Sequence, residues 1–549
     1  MEIQTMKKLE EEALKKSGTD FTRLGFALFF MIGVLTFSFL NNGGIPNNMF
    51  LAIAALIGAY MAMNIGANDV ANNVGPAVGS KAMTMTMAIV IAAVFEAAGA
   101  LIAGGEVVKT IKKGIIDISA FGGNADPFIW AMMAALLAAA LWLNFATMMR
   151  APVSTTHSIV GGVMGAGIAA AGFSIVSWGT MGKIAASWVI SPVLGGVIAA
   201  AFLFAIKKSI VFKEDKIKAA QTYVPVFVAL MAWAFVTYLT LKGLKKIWPQ
   251  VVELLNFLPF VSIEMSKKPS LLTALVMGAV AAVSVYLIIR AKLATNSSAL
   301  KNNKESVNTL FTIPLIFAAA LLSFAHGAND VANAIGPLAA INDAVLNGGI
   351  SSKASIPLWV MGVGALGIAL GLALYGPKLI KTVGSEITEL DQIRAFSIAM
   401  AASITVIIAS QLGLPVSSTH IAIGGVFGVG FLREYLHLND TNNNTIEEDK
   451  EIIKDEKNTI IAYKSELATL EKKEDKSATE YERVVELYKL IVDEEKIIKS
   501  TKKHIKQTRK VEYVKRDAVK KIIAAWVITV PAAAILAGIL FYMIRGIML

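Results

Sequence analysis

The sequence predicts an all-α polytopic membrane protein, and three observations carry that expectation. Apolar residues make up 55% of the chain against 17% charged, and the mean hydropathy is +0.62, a balance beyond that of soluble domains. Apolar runs of spanning length recur along it. Two motifs return at nearly constant separation: Gly66-Ala67-Asn68-Asp69-Val70-Ala71-Asn72 as Gly327-Ala328-Asn329-Asp330-Val331-Ala332-Asn333, and Pro152-Val153-Ser154-Thr155-Thr156-His157 as Pro415-Val416-Ser417-Ser418-Thr419-His420. The expected architecture is an inverted-topology repeat of about 12 transmembrane helices plus two re-entrant hairpins, with a soluble helical-hairpin (coiled-coil) insertion.

In chain order, residues 1–20 are a polar tail without the short apolar core of a cleavable leader. A membrane block follows at 21–206, with spans at 21–40, 49–66, 83–104, 127–148 and 184–206; the first repeat begins at 49. Residues 207–309 are a connecting loop and linking helices, with spans at 222–241 and 271–291 and a short, Pro-interrupted twelfth at 247–262. The second repeat occupies 310–432, with spans at 310–326, 355–377 and 393–412, and its last helix lies at 522–549. The Gly-rich runs Val153–Phe173 and Val416–Leu432 read as the re-entrant hairpins.

The repeat is nearly in register. His420 follows His157 by 263 residues and Gly327 follows Gly66 by 261, whereas Trp526 follows Trp188 by 338, so about 75 residues are inserted late in the second half. Residues 433–521 hold 21 Lys and Arg and 20 Asp and Glu, which makes this segment water-soluble. Apolar residues recur every seven at Ile453, Ile460 and Leu467, then at Val484, Ile491, Ile498 and Ile505, with a polar turn at Lys473-Glu474-Asp475-Lys476-Ser477.

The absence of cysteine excludes disulfides and thiolate sites, and the net charge of +11 is read as topology-setting Lys and Arg, with no nucleic-acid partner. A carboxylate repeated at membrane depth must face a cavity, a partner or an ion. Asp69 and Asp330, with Asn72 and Asn333, suit a small hard cation, sodium before a proton. Gly66, Gly75, Gly327 and Gly336, with Pro76 and Pro337, are expected to break the helices there. Ser154, Thr155, Thr156, Ser417, Ser418 and Thr419 would open two half-helices whose free amides and hydroxyls grip an oxyanion, joined by Asn68 and Asn329. Glu96 stands alone in an apolar span and should face the pathway; His157 and His420 either pack or take part in coupling.

These paired motifs resemble the PiT family of inorganic phosphate transporters, solute carrier family 20. The likeness extends to Lys109-Thr110-Ile111 with Gly114-Ile115-Ile116-Asp117 and to Lys381-Thr382-Val383 with Glu386-Ile387-Thr388, covering the chain outside the tail and the insertion. It implies secondary active uptake of phosphate with sodium or protons, and a site shared by both motif pairs. It also gives Glu96 the place of a family glutamate of functional importance, with Ala399 as its counterpart. The insertion is atypical, since the family carries its large soluble loop between the halves.

The resulting expectation is a sodium-coupled importer of inorganic phosphate, with sodium as co-substrate bound at Asp69 and Asp330. A sulfate permease and a proton-coupled phosphate or metal-phosphate symporter are the alternatives. Enzymatic phosphotransfer is disfavoured because no Gly-rich nucleotide loop is present. The other partners are the lipid bilayer and, left open, a second copy in a homodimer. Parity of twelve spans and the Lys-rich loops at 105–126 and 207–221 place the protein in the cell membrane with those loops and the insertion cytoplasmic, and with both termini and the 173–183 loop outside.

Overall fold

The computed structural model describes every residue except 1, 46–47, 150–152, 258–265, 267, 297–299, 348–355, 387–389, 441, 475–476, 509–513, 515 and 549. Pro152, part of the expected twelfth span, Ile387-Thr388 and the turn residues 475–476 thus lie outside the described residues. The chain forms two compact units, Met1–Val429 with Arg516–Leu549, and Gly430–Lys515.

The helices are α1 (Glu2–Asn41), α2 (Asn48–Asn68), α3 (Val70–Gly79), α4 (Met85–Ala103), α5 (Gly105–Lys113), α6 (Ala125–Met148), α7 (Thr155–Ala171), α8 (Trp178–Ile206), α9 (Lys216–Tyr238) and α10 (Trp248–Asn256). They continue as α11 (Leu271–Asn296), α12 (Lys304–Leu310), α13 (Thr312–Asn347), α14 (Leu358–Glu386), α15 (Gln392–Gln411), α16 (Ser418–Asp440), α17 (Asn442–Glu471), α18 (Ala478–Thr508) and α19 (Arg516–Met548). Polar caps start many of them: Thr84, Asn124, Ser154, Asp215, Asn303 and Asp391 each accept a backbone amide two or three residues on.

This is an all-helical polytopic membrane protein. Among the described residues, 11 helices are long and apolar enough to cross a bilayer, and they coincide with the uninterrupted runs of the sequence. The twelfth does not hold. Its described part, α10, has 9 residues, about 14 Å at ~1.5 Å per residue and half of a bilayer core.

The two Gly-rich runs are also not hairpins in themselves. Each is a single helix, α7 or the start of α16, and each is the second arm of a pair whose first arm is α6 or α15. Gly162 of α7 sits against the Ala135 carbonyl of α6, and Gly425 of α16 against Ile398 of α15, 263 residues later in both partners. An isolated antiparallel bridge, Ile116 with Val176, joins the chain entering α6 to the chain leaving α7. The Asp117 amide donates to Ile175 O at 2.7 Å and the Ser177 amide to Ile115 O at 2.9 Å. This corrects the expected placement of 105–126 and 173–183 on opposite faces.

The expected helix breaks are nearly absent. At Asp69 the backbone stays right-handed helical (φ −85°, ψ −34°), and α13 runs without interruption through the second motif, Pro337 included. Each peptide group in hydrocarbon needs its hydrogen bond, which favours keeping the ladder. The glycines serve close approach instead. A β-carbon at Gly66 of α2 would collide with the Ile368 carbonyl of α14, and one at Gly327 of α13 with the Glu96 carbonyl of α4. Gly371 against Met63 and Gly99 against Phe324 repeat the pattern in the reverse direction. The two halves therefore interlock, α4 on α13 and α14 on α2. Contact also identifies the counterpart of Glu96 as Ile368; the Ala399 reading is wrong.

The second unit has its own core of Ile460, Leu467, Leu487, Ile491 and Ile498, flanked by Ile453, Tyr463, Leu470 and Val484. At the start of α18, the Ser477 amide donates to Glu480 Oε2 (2.8 Å) and the Glu480 amide to Ser477 Oγ (3.3 Å), a reciprocal cap. The Lys473 ammonium, then Ser477, hold the Glu480 carboxyl down at about 2.

The crossings predict the cost of side chains there. Gly66→Val and Gly327→Val should each destabilise the purified protein by at least ~1–3 kcal/mol, seen as a lowered thermal midpoint or loss of the folded peak. Gly362→Ala, with open space around it, should leave the midpoint unchanged.

Candidate functional site

The repeated motifs and the two Ser/Thr helix starts meet in the interior of the first unit. Ser154 and Ser417 act as N-caps, accepting the His157 amide (3.1 Å) and the His420 amide (3.3 Å). That leaves the first turns of α7 and α16 open towards the motif residues of α2, α3 and α13.

Asp69 is 2% exposed and lies between both helix starts. Thr155 donates its hydroxyl to Asp69 Oδ2 at 2.5 Å, and Thr419 donates to Asp69 Oδ1 at 3.1 Å. Asn72 Nδ2 donates to Thr419 Oγ1 (2.8 Å), and across the repeat Asn333 Nδ2 donates to Thr156 Oγ1 (3.1 Å) and Thr155 Oγ1 (3.2 Å). Ser418 donates to Asp330 Oδ2 at 3.2 Å, as Thr155 does to Asp69. Thr156 departs from the repeat and donates to Val416 O at 2.9 Å.

Asp330 has a partner that the sequence reading missed. His326, fully buried, places Nε2 at 2.7 Å from Asp330 Oδ2 and Nδ1 at 2.7 Å from Glu96 Oε2. Asn73 Nδ2 completes the line, donating to Glu96 Oε1 at 2.8 Å. Glu96 thus joins the site through His326. The signal was present: the residue before the second motif is His326 and before the first Ile65, a polarity change directly at the edge of the repeated run, as is Asn73 against Ala334 at its other edge. By contact, the pair His326 and Glu96 corresponds to Ile65 and Ile368.

Other expected residues have different roles. Asn329 is occupied in holding the α15–α16 connection: Nδ2 donates to Ser410 Oγ (2.9 Å) and Leu414 O (3.2 Å), and Oδ1 accepts the Val416 amide (3.3 Å). Thr110 of α5 adds a bond to Gly413 O at 2.7 Å, at a left-handed φ of +67° that suits glycine. Asn68 is buried, and its Nδ2 meets no hydrogen-bond partner among the described residues. His157 and His420 lie in an aromatic stack: His157 on Trp188 (3.9 Å), His420 on Trp526 (3.6 Å), with 4.6 Å between the two imidazoles. They contact neither motif carboxylate in the hydrogen-bond network, which favours their packing role.

One oxygen each from Asp69 and Asp330 and a ring nitrogen of His326 lie within 4.8 Å of one another. Glu96 and Asp330 both bond the one buried imidazole and Asp69 lies close by, so full ionisation leaves excess negative charge that only a cation or protons offset. Beside it, two helix N-termini and four hydroxyls offer donors to an anion.

A family model described as the phosphate transporter family matches residues 65–537. A Helicobacter pylori (strain J99) protein whose name describes it as a phosphate permease is 48% identical over 576 residues, covering 98% of this chain and 98% of that one. A similarly described Haemophilus influenzae protein is 38% identical over 71% of this chain and 89% of its own length. A solved structure described as the sodium-dependent phosphate transporter matches with a TM-score of 0.69 and 29% identity, covering 91% of this chain and 99% of that chain.

Removing the anchor of His326 tests the newly found line. Glu96→Leu leaves a buried imidazole beside Asp330 without its second partner and should cost about 3–5 kcal/mol, read as a fall in thermal midpoint. Glu96→Gln, which keeps two polar atoms in place, should lose less.

Proposed function

The chain belongs to the phosphate transporter family, and on that premise we propose that it imports phosphate together with sodium. It is a multi-pass membrane protein that transports phosphate, not an enzyme. One observation carries the sodium reading: the repeat-related carboxylates Asp69 and Asp330 are buried together and bonded to the hydroxyls that open the two anion-facing helices. The matched structure, described as sodium-dependent, supports it. Sodium would take the Asp69 and Asp330 oxygens, with Asn72 and Asn333 nearby. Phosphate would take the Thr155, Thr156, Ser418 and Thr419 hydroxyls and the first amides of α7 and α16. A proton-coupled reading is favoured by the line Glu96, His326 and Asp330, a chain of titratable groups leading into the site.

The interlocked contacts support an inverted repeat, with α6–α7 and α15–α16 as re-entrant pairs entering from opposite faces. Setting aside the arms Ala125–Met148 and Gln392–Gln411 leaves nine of the 11 spans as crossings, an odd number. The termini then fall on opposite sides, in place of the twelve-span parity that put both outside. Three bonds agree with this trace. Asn302 Nδ2 donates to Glu214 O (2.8 Å) and Gln392 Nε2 to Ser80 O (3.0 Å) on one face; Lys245 meets Glu106 at 3.0 Å on the other. The first face carries Lys7, Lys8, Lys15, Lys16, Lys207, Lys208, Lys213, Lys216 and Lys218, which makes it cytoplasmic, with the insertion.

Uptake by reconstituted liposomes distinguishes the couplings. Labelled phosphate should accumulate under an inward sodium gradient and fail to do so under a proton gradient alone; the reverse would establish the proton reading, and sulfate uptake in preference would refute phosphate selectivity. Sidedness is open to labelling because the chain has no cysteine. In intact cells an impermeant thiol reagent should reach Ala120→Cys and not Lys213→Cys or Lys476→Cys; equal protection of all three would restore the shared placement of the 105–126 and 207–221 loops.

A further inference from the structure

We propose that Thr155 and Thr419, through the Asp69 carboxylate they share, are the residues that make sodium and phosphate binding depend on each other. The inference rests on the sodium-coupled reading above and assigns the groups that transmit the coupling.

A threonine hydroxyl has one proton to donate and lone pairs to accept with. Thr155 directs its proton to Asp69 Oδ2 (2.5 Å) while accepting from Asn333 Nδ2 (3.2 Å). Thr419 directs its proton to Asp69 Oδ1 (3.1 Å) while accepting from Asn72 Nδ2 (2.8 Å). The asparagines thus hold the lone-pair side of each hydroxyl, and the remaining freedom is the direction of its proton. An oxyanion at the starts of α7 and α16 requires those protons. A cation at Asp69 requires the carboxylate lone pairs that the same protons cover.

The two requirements complement each other. When a cation takes the Asp69 oxygens, the hydroxyl protons turn to the anion; when the anion takes the protons, the carboxylate lone pairs are released to the cation. Either ligand alone disrupts a charge-assisted bond and leaves a buried polar group without its partner. Thr155 lies on α7 and Thr419 on α16, so one carboxylate governs donors on both anion-facing helices. The second half is built differently. Asp330 accepts from Ser418 (3.2 Å) and meets His326 (2.7 Å), while Thr156 sends its proton to Val416 O. The coupling is therefore concentrated at Asp69.

Linkage makes this measurable, because sodium tightens phosphate by the same factor by which phosphate tightens sodium. The full-length protein in lipid nanodiscs would be titrated with radiolabelled phosphate in saturating sodium and in choline, and with sodium in the presence and absence of phosphate. The unaltered protein should show a coupling factor on the order of 10–100. Thr155→Val should still bind phosphate, with the factor reduced at least about fivefold, and Thr155→Ser should restore it. A merely structural role shifts both affinities and leaves their ratio in place; that result, or failure of serine to rescue, overturns the proposal. If Thr155→Val is not recovered folded, Thr419→Val on the same carboxylate is read by the same criterion. A factor of one in the unaltered protein refutes the sodium-coupled reading itself, before any variant is compared.

Discussion

Burying carboxylates in a membrane interior is the constraint from which the rest of the structure follows. Asp69, Asp330 and Glu96 all lie within the first unit and are at most 2% exposed. In such a medium each must be met by donors or counter-charge. The hydroxyls of Thr155, Ser418 and Thr419, the amide of Asn73 and the imidazole of His326 supply them; these come from four helices, α3, α7, α13 and α16, and Glu96 lies on a fifth, α4. Holding five helices within hydrogen-bond range requires close crossings, and the glycines at those crossings are the corresponding backbone solution.

The repeat is faithful where packing demands it and broken where chemistry does. Gly66 against Ile368 is reproduced as Gly327 against Glu96, and Gly161 against Val530 as Gly424 against Pro192. At the same level, Ile65 and Ile368 at one crossing of the halves stand where His326 and Glu96 stand at the other. A histidine–glutamate pair present at one of the two crossings alone makes the two Asp environments inequivalent.

The spans were legible because apolar periodicity and length survive without tertiary information, and the motif pairs were legible because they repeat. Helix continuity was misread at Asp69 and Asp330. Gly and Pro lower helix propensity in water, but in hydrocarbon the need for backbone hydrogen bonds prevails, and glycine then signals contact. His326 escaped because it lies one residue outside the repeat, and Asn329 was assigned to a ligand because a motif shows residue types and not the direction they face. The α6–α7 pairing rests on the bridge between Ile116 and Val176, two apolar residues 60 apart with no distinguishing pattern.

The interlocking of the halves has a consequence for biogenesis. α4 ends at Ala103 and its partner α13 begins at Thr312, so some 200 residues must emerge before the two can meet. At ~5–20 residues per second, that is roughly 10–40 s of synthesis. For that interval Gly99, and Glu96 above it, sit in the bilayer or the insertion machinery with lipid or chaperone where α13 will later lie. Neither half is a folding unit in time, and the linking helices between them set how long the nascent chain stays exposed to membrane quality control.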